Sequence, residues 1–135
     1  MNKYEDDFFG WSLDQAKYIR DGEFEKLDII NLQDEIESMG KSEIRALESH
    51  LHNALMHMLK CKYQPTRYCK SWTSSIEEAK IRVKKVLRDN PSLKYRFSTI
   101  FGDAYDTARI AASRETGINK INFPEICPWN LEEFL

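Results

Sequence analysis

Lys41 to Leu59, KSEIRALESHLHNALMHML, decides how this chain folds. Its apolar stripe falls at Ile44, Leu47, Leu51, Leu55, Met58 and Leu59. Steps of three and four gather them on one side of an α-helix, which turns once every ~3.6 residues. A stripe of that kind is stable only when other elements cover it. The rest of the chain has to supply those elements.

Working toward the N-terminus, Phe9, Leu13, Ala16 and Arg20 keep helical spacing and predict a helix from about Tyr4 to Arg20, closed by Asp21-Gly22. Asp28 has the character of an N-cap. Ile29, Leu32, Ile36 and Met39 follow as a second stripe. Gly40 is expected to break or bend that segment, at about 1 kcal/mol relative to Ala. Toward the C-terminus, Pro65 ends the central helix because it lacks a backbone donor and disfavours helical geometry before it. A helix restarts near Thr73, with Ser75 and Glu78 spaced as a capping box. Ile76, Ala79, Val83 and Val86 form its stripe, and Lys80, Arg82, Lys84, Lys85 and Arg88 make its other faces basic. After Asn90-Pro91, Leu93, Phe97, Ile100, Phe101, Ala104, Ala108 and Ala111 predict a last long helix ending at Gly117. The tail from Ile118 carries Phe123, Trp129 and Phe134, so it is expected to pack back on the helices, with Asn130 capping a final turn. No stretch alternates with a period of two. The reading is all-α: a single-domain helical bundle, residues 1–135, of four or more helices with its tail folded back.

At 135 residues, 41% hydrophobic and 31% charged, the composition is that of a soluble globular domain with one core. No apolar run approaches the roughly 20 residues a membrane span needs. The acidic start MNKYEDDFFGW lacks the apolar region of a signal peptide, so a cytoplasmic protein without membrane contact is expected. Cys61, Cys69 and Cys127 are odd in number and form no CxxC, which favours reduced thiols over a disulfide framework or a zinc knuckle. Residues 1–57 carry 6 basic and 13 acidic side chains, a net of −7; residues 58–96 carry 11 and 3, a net of +8; residues 97–135 carry 3 and 6, a net of −3. Such segregation predicts either internal pairing of acidic and basic helices or a basic face for an acidic partner. Internal pairing is favoured, because the whole chain has a pI near 5.9.

The loop that follows the central helix, KCKYQPTRYCKSW from Lys60 to Trp72, interleaves Lys60, Lys62, Arg67 and Lys70 with Tyr63, Tyr68 and Trp72. Loops between helices are where small helical proteins hold sites. Lys60, Lys62, Tyr63, Gln64, Arg67 and Trp72 are therefore candidate binding residues. The run Leu55–Trp72, with His57, Lys60, Tyr63, Gln64, Pro65, Ser71 and Trp72, resembles the signature of domain-of-unknown-function family 29, a group of small bacterial proteins abundant in cyanobacteria. The resemblance extends to Tyr4–Trp11, Leu32–Gly40, the Asn90–Leu93 turn, Thr116-Gly117, Phe123-Pro124 and Cys127-Pro128. Cys61 and Trp129 depart from the usual pattern, Trp and Tyr respectively, in ways that alter packing more than chemistry. The resemblance implies a helical bundle and no particular activity.

Among titratable groups His57 stands out. It lies about 120° from Leu51 on the flank of the apolar stripe, with His50 one heptad before it and Glu43 and Cys61 nearby. Glu35 flanks the preceding stripe and is the expected partner of the imidazole if the two segments pack antiparallel or kink at Gly40. Tyr63 and Glu78 are alternatives. A histidine hydrogen-bonded for structure is the leading reading, and acid/base chemistry the sharper one. Arg45 and His50 resemble the Arg-x4-His pattern of a superfamily of helical ribonucleases, which makes them a second catalytic candidate pair. Neither Glu-x-x-His nor His-Glu-x-x-His occurs, so no metal is expected, and no phosphate loop, nucleophile elbow or dinucleotide fingerprint points to a cofactor. The function expected is a protein-interaction module that recognises a protein partner or itself. A ribonuclease using His57 or Arg45/His50, or an RNA-binding protein using the basic middle, is the alternative.

Overall fold

The central stripe is buried as its spacing predicts. In the computed structural model, which describes residues 2–64 and 70–135, Leu47, Leu51, Leu55 and Leu59 are fully shielded. Pro65, Arg67, Tyr68, Cys69 and the side chain of Lys70 lie outside the described residues. Five α-helices occur among the described residues and no strand: α1 Lys3–Asp6, α2 Phe8–Arg20, α3 Ile29–Tyr63, α4 Lys70–Asp89 and α5 Phe97–Thr116. None is long and apolar enough to cross a membrane. The chain divides into two compact units, Met1–Lys41 and Ser42–Leu135. Gly40 sits inside α3, so the two segments expected to part there belong to one helix. A single glycine costs about 1 kcal/mol, less than the helix-forming residues around it supply.

In the Ser42–Leu135 unit the α3 leucines meet Ala79, Val83 and Leu87 of α4 and the Phe97, Ile100, Phe101, Ala104 and Ala108 face of α5 in one core. α4 begins at Lys70, earlier than expected, so Ser75 and Glu78 lie within the helix and form no cap. Glu78 turns instead to Arg82 one turn on. A short 3-10 helix, Pro91–Arg96, leads into α5, which closes at Gly117 with φ 77°, a left-handed conformation that suits a residue without a Cβ. The tail packs back as predicted. Phe123 and Phe134 are buried, edge-on to Tyr63 and Phe101. Tyr105 Oη donates to the Pro124 carbonyl at 2.5 Å, and Arg109 Nη2 to that of Phe123 at 3.2 Å. Asn130 and Glu133 form a capping box on the last turn, Leu131–Phe134.

In the Met1–Lys41 unit the expected first helix is divided at Asp7, which leaves helical geometry (φ −148°, ψ 76°) and caps α2 by accepting from the Gly10 amide at 3.1 Å. The buried face of α2 is also not the expected one. Trp11 and Gln15 are inside, while Phe9 and Leu13 are 64% and 57% exposed. Hydrogen bonding selects the face. Trp11 Nε1 donates to Asp28 Oδ2 at 3.0 Å, and Gln15 Oε1 accepts from the Asp28 amide at 2.8 Å. The Tyr4 ring stands edge-on to Trp11, and its hydroxyl donates to Glu35. Asp28 Oδ1 also accepts from the Asn31 backbone amide at 3.4 Å, so it caps α3 as expected, and its Oδ2 accepts from the Asn31 side chain at 2.8 Å.

Candidate functional site

Two features of the surface follow from these elements. The first is a polar cleft between α3 and α4. His50, Asn53 and His57 lie on α3 at i, i+3 and i+7, which places them on one flank of the leucine stripe. Ser75, Glu78 and Arg82 repeat that spacing on α4. With Ala79 these side chains line a cavity of about 320 Å³. Arg82 donates from Nε and Nη2 to one oxygen of Glu78, at 3.0 and 2.8 Å. His57 Nδ1 is buried and has no hydrogen-bond partner among the described residues. Burial pushes the His57 imidazole below its usual pKa, with Lys60 adding to the effect. His50 is lowered by burial and by Arg82. Both rings are held toward the neutral form, each with one donor and one acceptor nitrogen.

Glu35, the expected partner of His57, accepts from Tyr4 within its own unit. The imidazole Nδ1 has no partner among the described residues. Glu78 shares the cleft with His57 but is engaged by Arg82, and Tyr63 packs on Phe123. Arg45 and His50 do not converge: Arg45 lines a separate hollow with Glu48, Ser49, His52 and Thr107. Five residues of α-helix rotate a side chain by about 140°, which carries the two to different faces. The arginine that joins His50 is Arg82, together with Asn53 and Ser75. None of these three was a candidate in the sequence. The signal they left is the repeated i, i+3, i+7 polar spacing on two helices. Among the described residues no three His, Cys, Asp or Glu side chains gather as a metal ion requires.

The candidate binding residues around the loop are held by internal contacts. Lys60 is only 9% exposed, with Nζ 4.6 Å from the centre of the Trp72 ring and 3.6 Å from Glu115. Lys62 Nζ lies 5.8 Å from the Tyr63 and Trp129 rings. Gln64 Nε2 donates to the Thr116 carbonyl at 3.1 Å. Arg67 lies outside the described residues. Within the basic segment Arg82 pairs with Glu78 and Arg88 with Asp89, one turn or less away along the same helix.

The second feature is apolar and belongs to the Met1–Lys41 unit. Nine of the 15 large apolar side chains that stand exposed among the described residues lie in this first third of the chain. Phe9 and Leu13 on α2, and Ile29, Ile36 and Met39 on α3, are members of the two stripes whose spacing predicts core faces. Ile36 is 65% and Met39 69% exposed. Both stripes form, and Phe9, Leu13, Ile29, Ile36 and Met39 stand exposed on them while Leu32 is half-buried.

A family model described as Domain of unknown function DUF29 matches residues 3–135, nearly the whole chain. Comparison with curated proteins and with solved structures finds no match.

Proposed function

We propose that this chain, which belongs to the DUF29 family, is a protein-interaction module whose docking surface is the apolar face of its first 41 residues. The observation that carries the reading is the exposure of Phe9, Leu13, Ile29, Ile36 and Met39 along two helical stripes. Scattered apolar side chains on a surface are ordinary, but a concentration of them at helical spacing is a binding surface or an aggregation hazard. The charge of the same segment selects the occupant. Residues 2–41 carry 11 acidic and 5 basic side chains. The partner that fits is an amphipathic helix with an apolar stripe and basic flanks, laid along α2 and the start of α3.

Two designed helical peptides test this, one built of Leu and Lys at helical spacing and one of Leu and Glu. The intact protein is expected to bind the Leu/Lys peptide, with an affinity that falls as salt is added, and to ignore the Leu/Glu peptide. Ile36→Glu makes the protein more acidic, yet it is expected to abolish binding because it puts a charge into the apolar face. Equal binding of both peptides, or unchanged binding by Ile36→Glu, would reject this surface. A stable dimer that Ile36→Glu converts to a monomer would show that a second copy covers the face instead.

A further inference from the structure

The cleft between α3 and α4 has no part in that docking surface. We infer that it is a binding site for a phosphate group, carried as inorganic phosphate or as a phosphate ester, held by Arg82, His50, His57, Ser75 and Asn53. The donor inventory points there. A guanidinium has five N–H donors, and Glu78 takes two of those of Arg82, through Nε and Nη2. Ser75, Asn53 and one nitrogen of each imidazole add further donors around the same space. Among the described residues the one carboxylate lining it is Glu78, whose charge Arg82 already offsets and which fixes the guanidinium in place. A site rich in donors with a single fixed cation suits a group with several acceptor oxygens and a negative charge.

Space and chemistry agree with this. The cavity of about 320 Å³ exceeds what a phosphate needs and leaves room for the organic part of an ester. Among the described residues the buried Nδ1 of His57 has no hydrogen-bond partner. Both imidazoles have charges nearby: Arg82 and Glu78 for His50, and Lys60, Glu115 and His52 for His57. A bound dianion stabilises the protonated ring, so ligand binding and histidine protonation are linked and each strengthens the other.

The chain has three histidines, and the third is an internal control. His52 Nδ1 lies 2.8 Å from Thr107 Oγ1, and His52 lines the other hollow. The test is an NMR pH titration of the three imidazole C2 protons in the full chain, at matched ionic strength, with chloride, inorganic phosphate or a ribonucleoside 5′-monophosphate. Phosphate is expected to raise the midpoints of His50 and His57 by about half a pH unit or more and to leave His52 unmoved. A larger effect of the nucleotide would identify an ester as the ligand, and an equal effect the phosphate group alone. Arg82→Gln is expected to abolish the rise. The variant should stay folded, since it removes only an exposed pair of adjacent turns. His50 and His57 unmoved, all three histidines moved alike, or a rise that persists in Arg82→Gln would overturn the assignment.

Discussion

His57 carries an imidazole nitrogen, Nδ1, that is buried and finds no hydrogen-bond partner among the described residues. An unpaired polar atom of this kind costs about 1–3 kcal/mol, so the residue is held at the expense of stability. Two substitutions separate packing from polarity. His57→Ala removes the ring and its contacts and is expected to destabilise by about 1–3 kcal/mol. His57→Leu keeps apolar volume, removes the orphan nitrogen, and is expected to equal or exceed the parent by up to about 1 kcal/mol in thermal or denaturant unfolding. A Leu variant as unstable as the Ala variant would mean that the nitrogen is bonded. The pH dependence follows from the same burial. All three histidines are lowered below the usual value, each chiefly by burial. The unfolded chain therefore binds protons more readily than the folded one. Their contribution to stability is complete above a pH of about 6.5 and is lost as the pH falls through the lower folded values. His57→Leu should flatten part of that acid limb. Of this site, the sequence made His50 and His57 legible as neighbours on one flank. Arg82 and Ser75 were hidden, because which face of α4 meets α3 is set by packing between residues far apart in sequence.

At the scale of elements, α3 behaves as two helices in one. Its residues after Ser42 bury a leucine stripe, and those before it present one to the surface. Leu51→Ala is expected to cost about 2–5 kcal/mol, as core truncations do, whereas Ile36→Ala should stay within about 0.5 kcal/mol. Equal costs would show that the N-terminal stripe is covered. Gly40→Ala is expected to stabilise the protein by about 0.5–1 kcal/mol, since the position is helical and an added Cβ meets nothing within 4 Å. The contrast explains what the sequence could convey. Periodicity identified the stripes of α2, α3, α4 and α5 as apolar faces. It could not say what covers each, so Phe9 and Ile36 read the same way as Leu51. Capping signals were legible at Asp28 and Asn130, each of which accepts from a backbone amide in the turn that follows it. The pair Ser75 and Glu78 misled, because α4 already begins at Lys70 and both residues lie inside it.

For the whole molecule, the division of charge along the chain has a consequence for recognition. Residues 2–41 combine an apolar face with 11 acidic and 5 basic side chains, while on α4 Arg82 and Arg88 pair with carboxylates of their own helix and Lys84 and Lys85 are exposed. Reversing Lys84 and Lys85 to Glu is expected to leave stability within about 0.5 kcal/mol and to change the affinity for a Leu/Lys peptide little, although the chain becomes more acidic. A large gain would mean that net charge, not the apolar face, drives the encounter. Hydroxyl-radical footprinting of the intact protein, with and without the Leu/Lys peptide, tests the docking surface most directly. The account predicts fast labelling of Phe9, Leu13, Ile36 and Met39 in the free protein and protection of these residues when the peptide is added, with Met56 and Met58 unchanged. Slow labelling of those four residues in the free protein, or no protection on binding, would contradict it.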